Sequence, residues 1–333
     1  MGHNTYKVQV RLLNVSEVLA VELDTLLQTF EHPSFKVYSA EDYIRAKLIG
    51  VGLPDGMDET RGEVLHSIRK FVKVNDRILA LASCLLKSEA FFLSHHYPQD
   101  GFVQLPRTEH QKPFIPTIDE TEFSISLSHQ WPFIGISRLV SNGGKQSLGV
   151  GLDIVVFEKL NTRLYNTVEE FVAVFRNSFT DGEWLTINEQ QDFVLQEFYV
   201  QWSVKEAVSK ALGVGLGCDF SSFQVTWDLK SPTDGGLWNL IVSHGSQNDE
   251  DIMLDLNGTI SLNEPEISNQ GTSCIRDSNW RFCFLALRDS ETSDVLGVAC
   301  TCLGPFQVND VVDKAINWKV EWTDLRSILP VYF

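Results

Sequence analysis

The sequence predicts an α+β fold, because strand patterns and long helical patterns occupy separate stretches of the chain. Apolar residues take every second position at residues 6–13, 123–129 and 148–157, as they do in the strands of a sheet. Residues 133–140 follow the second of these stretches as a returning strand. They recur at helical spacing over residues 62–95 and in the stretch that ends at Gly213. The 333 residues, 43% of them hydrophobic, suffice for one large or two small domains.

Composition and charge restrict the class of protein. The formal net charge of −17 disfavours nonspecific binding to nucleic acid or to anionic membranes. No apolar run approaches the ~18 residues of a membrane span, and the first residues lack the apolar stretch of a signal peptide. The six cysteines are scattered without paired CxxC spacing, which fits a reduced compartment and predicts no zinc site. We therefore expect a soluble, cytoplasmic protein.

Positive charge is concentrated in the first half of the chain. A polar loop with two cations, Arg107–Pro113, follows the helical stretch 62–95. Between Arg61 and Lys112 there are eight basic and five acidic residues. This local excess is either ordinary charge on helix surfaces or a pocket for phosphates.

The strand at residues 123–129 ends in polar residues. Phe123, Ile125 and Leu127 point to one side and the intervening serines to the other, so a half-buried strand is expected. It ends at Ser128-His129-Gln130, and the chain then returns as the strand 133–140. A single histidine at a strand end is more often a structural hydrogen-bonding group than a ligand-binding one.

The strand at residues 148–157 contains an aspartate. Asp153 lies between Leu152 and Ile154, where a carboxylate is costly unless another group pairs with it. A structural hydrogen-bonding role and a catalytic or metal-binding role carry equal weight. Gly151, on the same face of the strand, would leave room for a ligand to approach.

The remaining patterns complete the second half. Thr180-Asp181-Gly182-Glu183 is a capping box that opens a helix. Strands are predicted at residues 223–227, 237–242 and 280–287. The acidic, polar residues 244–279 predict a long loop or partial disorder. Gly213–Gly217 follows a helix rather than a strand, so it is not a nucleotide-binding glycine loop.

The helix that ends at Gly213 places three functional groups in one row. Trp202, Glu206 and Lys210 are spaced four residues apart and so share a helix face, whereas Lys205 points about 100° away. Taken alone, Glu206 and Lys210 are more simply an exposed ion pair.

Together these segments resemble the 4′-phosphopantetheinyl transferases, in particular their large pseudo-dimeric type. The matching motifs follow one order along the chain: Phe71 with Asp76, Lys112-Pro113, Phe123–His129, Val150–Ile154, Phe179–Trp184 and Trp202–Lys210. Gln111 stands where the family has a glycine before its Lys-Pro pair. The resemblance covers roughly residues 60–230 and the strand 280–287, and it points to the eukaryotic branch that serves aminoadipate reductases.

The resemblance implies a fold of two similar α+β halves, related by a pseudo-two-fold, with the active site at their interface. Residues 1–147 would form the half that receives the nucleotide of coenzyme A. Residues 148–290 would form the half with the magnesium ion and the catalytic groups. Residues 291–333 would be a C-terminal extension.

The resemblance also implies a reaction. The 4′-phosphopantetheine arm of coenzyme A would pass to a serine of an apo carrier protein, as in a holo-[acyl-carrier-protein] synthase, with release of adenosine 3′,5′-bisphosphate. Asp153 and Glu206 would hold Mg²⁺, a hard cation that binds carboxylates, with Gln130 or water as a further ligand. Glu206 would also act as the base toward the serine, and Lys210 would stabilise the leaving group. Val155 occupies a position where many members carry a third acid.

The same resemblance assigns the nucleotide end of coenzyme A to basic and polar groups of the first half, since arginine and lysine bind phosphates. They are Arg107, Lys112, Ser128 and His129, with Arg69 and Lys70 as further phosphate ligands.

The implied partners are the carrier domains of aminoadipate reductase in lysine biosynthesis, or of peptide and polyketide synthases. A monomer would suffice for the reaction.

The alternative function is that of a catalytically silent relative that binds coenzyme A or a carrier. Val155 favours this alternative, and the intact Asp153, Glu206 and Lys210 oppose it. A different magnesium-dependent phosphotransferase would need a phosphate-binding loop that the sequence lacks. A purely structural acidic protein would leave the aspartate in its apolar strand unexplained.

Overall fold

The chain divides into two compact units, Met1–Gly144 with Ile316–Phe333, and Lys145–Ala315. The computed structural model describes residues 6–32, 35–50, 58–99, 101–117, 122–140, 148–228, 236–245, 253–262, 277–289, 291–306 and 316–329. The sequence also predicts a turn at Pro54-Asp55-Gly56 and a loop at Ser141–Gly144, and both lie outside these residues.

The first unit consists of helices, a five-stranded sheet and a small parallel pair of strands. Its strands are β1 (Tyr6–Asn14), β2 (Val37–Ser39), β3 (Phe102–Gln104), β4 (Phe114–Pro116), β5 (Glu122–Gln130), β6 (Phe133–Val140) and β12 (Ile316–Thr323). Its helices are α1 (Ala20–Glu31), α2 (Ala40–Ile49), α3 (Asp58–Arg69) and α4 (Val74–His95). The sheet order is β12-β1-β6-β5-β4, with β1 parallel to β12 and antiparallel to β6.

The second unit is built around an antiparallel sheet. Its strands are β7 (Gly149–Val156), β8 (Phe223–Trp227), β9 (Met253–Leu262), β10 (Ser278–Arg288) and β11 (Val295–Phe306). Its helices are α5 (Val168–Ala173), α6 (Asp181–Asn188), α7 (Val194–Leu212) and α8 (Leu237–Gly245). The sheet order is β7-β11-β10-β9-β8, and α7 packs across β7 and β11.

The two sheets share one pattern of connections. In each unit the first strand pairs antiparallel with the last strand of an antiparallel meander, β6 in one and β11 in the other. A long helix, α4 or α7, lies between the first strand and the meander in the chain and packs on the sheet. The predicted α+β class is thereby confirmed.

The helix α4 combines length with apolar composition. Its 22 residues are long and apolar enough to cross a membrane. However, 61% of its apolar window is buried inside the protein, and residues such as Leu81, Leu85 and Phe91 lie in the core of the first unit. A long, apolar helix that is mostly buried inside the protein is typical of the core helix of a globular unit.

Several predicted elements differ from the observed ones. The helical stretch 62–95 is two helices, because α3 ends at Arg69 and α4 begins at Val74. Residues 237–242, predicted as a strand, belong to helix α8. Both carboxylate oxygens of the buried Glu197 accept backbone N–H groups at the start of this helix, from Leu237 at 3.2 Å and Trp238 at 2.8 Å. A carboxylate at a helix N-terminus stabilises the helix, and no local sequence pattern reveals a cap from 40 residues away.

The C-terminal residues also differ from the prediction. Residues 291–333 do not form a separate extension, because β11 lies inside the sheet of the second unit and β12 pairs with β1 in the first. The strand β9 falls within the predicted loop 244–279. The serine side of β5 is not exposed, since Ser126 and Ser128 are buried.

An ionic network ties β12 to the rest of the first unit. Arg11 of β1 pairs with Glu89 of α4 and, at 2.8 Å, with Glu321 of β12. Hydrogen bonds from Lys319 and Arg11 lower the pKa of Glu321 from 4.5 to about 2. Ionised Glu321 therefore stabilises the fold above about pH 4.5, the value for the unfolded chain, and this stabilisation is lost as the pH falls toward 2.

The variant Glu321→Gln should accordingly be less stable than the wild type at pH 7, with a smaller difference at pH 3. Because the carboxylate is partly exposed, the difference at pH 7 should be about 1 kcal/mol or less. Urea unfolding of both proteins at the two pH values measures it. An equal difference at both pH values would contradict the assigned role of the carboxylate.

Candidate functional site

Three of the predicted catalytic residues come together in the second unit. Asp153 lies on β7, and Glu206 and Lys210 lie one turn apart on α7. The Lys210 ammonium donates a 2.6 Å hydrogen bond from Nζ to Oδ1 of Asp153. The side chains are 29% and 9% exposed, respectively. Asp153 thus has an ion-pair partner inside its apolar strand, the lysine of the Trp-Glu-Lys row. This contact fits both a structural and a catalytic role for Asp153.

Two glycines of β7 allow α7 to lie directly against the strand. A Cβ atom at Gly151 would lie less than 3.0 Å from the carbonyl oxygen of Ala207, and one at Gly149 equally close to that of Ala211. The sequence interpretation that Gly151 leaves room for a ligand is therefore wrong, because the backbone of α7 fills that space. This close approach is what brings Glu206 and Lys210 beside Asp153.

The two carboxylates interact electrostatically. Burial raises the pKa of Glu206, the negative charge of Asp153 raises it further, and Lys210 lowers it. Two carboxylates near each other in a partly buried site form an oxygen donor set of the kind that Mg²⁺ binds. The described residues contain no cluster of three or more His, Cys, Asp or Glu side chains that could hold a metal ion.

Val155, two residues beyond Asp153 on the same strand, belongs to the core. Only 6% of it is exposed, and it packs in a cluster with Val200, Val204 and Val298. An acid at this position would need a partner in apolar surroundings. The apolar surroundings therefore suit a valine at this position, and Val155 cannot act as a metal ligand.

A second charged pair lies on the buried side of α7. Lys205 is fully buried; its ammonium pairs with Glu183 at 2.8 Å and donates to the carbonyl oxygens of Phe220, at 2.8 Å, and Phe223. Glu183 also completes the predicted capping box with Thr180. The pair joins α6, α7 and the start of β8. The sequence identified Glu183 as a helix cap and Lys205 as pointing away from the catalytic row, but their contact spans 22 positions and no short pattern predicts it.

In the first unit, the loop Arg107–Pro113 is a narrow turn. Its ends are joined by a bridge between Arg107 and Pro113, and Arg107 Nη1 donates to the Gln111 carbonyl at 3.0 Å. Thr108 and Lys112 exchange hydrogen bonds across the turn. Gln111 has φ of 65°, a left-handed conformation that glycine adopts most easily. The glycine that precedes Lys-Pro in the family thus has a physical reason, and Gln111 adopts the same backbone shape at some cost.

Ser128, His129 and Gln130 lie at the end of β5, as predicted. Ser128 is buried, His129 is exposed and Gln130 is intermediate. Their backbones pair with Gly135, Ile134 and Phe133 of β6.

A cavity of about 380 Å³ lies beside the Arg107 loop. Its walls come from α3, α4, β3 and the loop, and they include Ser67, Cys84, Lys87, Phe102 and Arg107. The walls carry two cations, Lys87 and Arg107, and the carboxylate of Glu63 beside apolar groups. The cations suit a phosphate, and the apolar groups suit a ring. Lys87 joins Arg107 as a second candidate phosphate ligand. From the sequence it was only one of the basic residues between Arg61 and Lys112.

The other predicted nucleotide ligands do not line this cavity; they are Lys112, Ser128, His129, Arg69 and Lys70. Arg69 pairs with Glu31 of α1 and, with Arg77 and Asp24, lines a separate cavity of about 290 Å³. The Lys70 ammonium lies 5.2 Å from the centre of the Phe71 ring. Arg69 and Lys70 stay predictions from the resemblance, with no described contact that places them beside Arg107.

Comparison with known proteins is consistent with this geometry. Residues 149–247 match the model of the 4′-phosphopantetheinyl transferase superfamily. A phosphopantetheinyl transferase of Thraustochytrium sp. is 34% identical over 176 residues, which are 51% of this chain and 58% of that protein. An L-aminoadipate-semialdehyde dehydrogenase-phosphopantetheinyl transferase of Rattus norvegicus is 30% identical over 49% of this chain and 51% of its own length. A 4′-phosphopantetheinyl transferase of Bacillus subtilis is 30% identical over 37% of this chain and 47% of its own length.

The chain thus spans about half the length of the curated relatives that it matches. The matched segment runs from β7 to α8 and includes Asp153, Glu206 and Lys210. The predicted resemblance is therefore confirmed: over the segment that carries these three residues, the chain is similar to the 4′-phosphopantetheinyl transferase superfamily.

Proposed function

We propose that this protein transfers the 4′-phosphopantetheine arm of coenzyme A to a serine hydroxyl of an apo carrier protein. The observation that carries the proposal is the cluster of Asp153, Lys210 and Glu206, held by α7 against β7 inside the segment that matches the family. A carboxylate pair with an ammonium beside it suits attack of a hydroxyl on a diphosphate, since such a step needs a proton acceptor and positive charge near the leaving group.

In this reaction each residue has a distinct role. Glu206 accepts the proton of the carrier serine as its oxygen bonds to the phosphorus of the pantetheine arm. The bond from that phosphorus to the bridging oxygen breaks, and adenosine 3′,5′-bisphosphate leaves with the electron pair. Lys210 places positive charge beside the departing oxygen.

Mg²⁺ fits the same residues, because it binds one or two carboxylates together with substrate phosphates and water. Asp153 and Glu206 would hold it, and Gln130 is a further ligand by resemblance alone. When bound, the ion would offset the negative charge of the diphosphate.

The first unit would bind the nucleotide of coenzyme A through Arg107, Lys112, Ser128 and His129. The cavity beside the Arg107 loop supports the assignment of Arg107, because it places Lys87 in the same walls. Lys112, Ser128 and His129 do not line this cavity and are assigned by resemblance alone. The shared strand connections support the similarity of the two units. A pseudo-two-fold between them and one active site to which both contribute are part of the same proposal by resemblance alone.

The carrier would be an aminoadipate reductase, or a peptide or polyketide synthase. The name of the Rattus norvegicus relative favours the first of these, and with it a role in lysine biosynthesis. A cytoplasmic monomer stays part of the proposal. The rival function is a catalytically silent protein that binds coenzyme A or a carrier, and Val155 is the observation that favours it.

Intact mass spectrometry distinguishes the two functions. The protein is incubated with coenzyme A, Mg²⁺ and apo carrier domains of the peptidyl, acyl and reductase types. Transfer adds the phosphopantetheine arm, a gain of about 340 Da on the carrier. Bound coenzyme A without a mass gain on any of these carriers would support the silent protein instead.

Two substitutions in the carboxylate pair test the assigned roles. Asp153→Asn and Glu206→Gln should each reduce the transfer rate by at least about a hundredfold while leaving the protein folded, because each removes a charge from the reacting centre. Initial rates from the mass assay, with circular dichroism as the folding check, measure this. The exposed Glu189→Gln on the same unit is the matched control and should retain the wild-type rate. Wild-type turnover by either site variant would refute its role.

Two substitutions in the first unit test the nucleotide site. Lys112→Ala and His129→Ala should each weaken coenzyme A binding by about tenfold, since hydrogen bonds to charged groups contribute this much. Isothermal titration with coenzyme A gives the affinities. Lys36→Ala, which removes an exposed lysine of the same unit, should leave the affinity unchanged. Wild-type affinity in both site variants would place the nucleotide elsewhere.

A further inference from the structure

The ammonium of Lys210 provides positive charge beside two carboxylates, those of Asp153 and Glu206. It donates to Asp153 at 2.6 Å, and it is the positive group that acts electrostatically on Glu206. In the described part of the chain no hydrogen bond or ion pair holds Glu206 directly. The positive charge of Lys210 therefore acts on both carboxylates.

An ammonium and a divalent cation compete for the same carboxylate oxygens. A metal ion that binds Asp153 must displace this short hydrogen bond or lie beside an unscreened positive charge, and the site is partly shielded from water. Lys210 can leave, because a lysine side chain is long and flexible and 29% of this one is exposed. It needs a second anionic group to receive it.

We propose that Lys210 is the resting counter-ion of Asp153 and that it hinders divalent cations from binding the carboxylate pair until a diphosphate attracts its ammonium. This inference rests on the proposed function, because coenzyme A is the ligand that supplies the diphosphate. It makes the binding of metal and coenzyme A cooperative, and each then raises the affinity of the other by the same factor.

Mn²⁺ binding without coenzyme A tests the proposal directly. Titration of the purified full chain with Mn²⁺, followed by electron paramagnetic resonance of the free ion, gives the affinity. Lys210→Met should bind Mn²⁺ at least about tenfold more tightly than the wild type, a coupling of ordinary size. Lys210→Arg retains the charge and should stay near the wild type. Lys159→Met, an exposed lysine of the same unit, changes the net charge equally and should leave the affinity within about twofold.

A second measurement detects Mn²⁺ binding even if Lys210→Met is less stable than the wild type. At one Mn²⁺ concentration well above both dissociation constants, the melting temperature of Lys210→Met should rise more than that of the wild type, since a ligand stabilises the folded state more when it binds more tightly. Equal or weaker Mn²⁺ binding by Lys210→Met would overturn the proposal.

Transfer of phosphopantetheine by the wild type is measured in parallel, so that failure of the counter-ion role and failure of the proposed function can be distinguished. A wild type that modifies carriers while Lys210→Met gains no Mn²⁺ affinity would overturn the counter-ion role alone. A wild type that modifies none would refute the proposed function, and the Mn²⁺ affinities would still decide the counter-ion role.

Discussion

Replacing Gly151 with alanine should destabilise the second unit by about 3 kcal/mol or more, the upper range for forcing extra volume into a packed interior. The added methyl group would meet the backbone carbonyl of Ala207, not a movable side chain. The helix α7 would have to move off the strand, and Glu206 and Lys210 would move with it. Transfer activity should therefore fall together with stability.

Urea unfolding followed by tryptophan fluorescence measures the loss for Gly151→Ala. The matched control is Gly217→Ala in the same unit, where no atom lies within 4 Å of an added Cβ. Its stability should stay within about 0.5 kcal/mol of the wild type. If Gly151→Ala were as stable as this control, the close packing of strand and helix would not be a requirement of the fold.

Replacing Lys205 with methionine should cost about 3–5 kcal/mol, the effect of breaking a buried ion pair by removing one partner. Glu183, 3% exposed, would be left as a buried carboxylate with its lysine gone. The carbonyl oxygens of Phe220 and Phe223 would also lose their donor. The connection between α7, α6 and β8 would weaken as a result.

A double-mutant cycle separates the lost ion pair from lost packing. Lys205→Met with Glu183→Gln should be more stable than Lys205→Met alone, because glutamine retains the capping hydrogen bond to Thr180 without a charge. The exposed Lys159→Met is the control for removal of a lysine and should be near neutral. A double variant no more stable than the single one would show that the stabilisation lies in the lysine packing and its carbonyl contacts.

Local patterns predicted the long helices and half of the described strands; the strands that they missed are β2, β3, β4, β9, β11 and β12. The alternation in β5 and β7 and the four-residue repeat in α7 identified the type of each element. They did not identify its exposed side, because Ser126 and Ser128 of β5 and both faces of β7 are buried. The capping box at Thr180 was readable because all of its contacts lie within one turn. The helix α8 was misassigned because its cap, Glu197, comes from another element.

The candidate site was predictable as a set of residues, but not as a geometry. Asp153 drew attention as an acid inside an apolar strand, and Glu206 and Lys210 as a row on one helix face. The reason they meet lies in Gly149 and Gly151, whose role depends on a neighbour some 60 residues later. The buried contact of Lys205 with Glu183 was likewise beyond any local pattern.

The strand β12 has a consequence for synthesis on the ribosome. The second unit is continuous in sequence, whereas the sheet of the first lacks an edge strand until residues 316–323 have been made. Trp318, Leu325 and Ile328, all buried, are missing from the nascent chain until then. Domains generally fold in order from the N-terminus during translation. Here a different order is expected: the segment 145–315 can complete its fold before residues 316–323 supply the edge strand of the first unit.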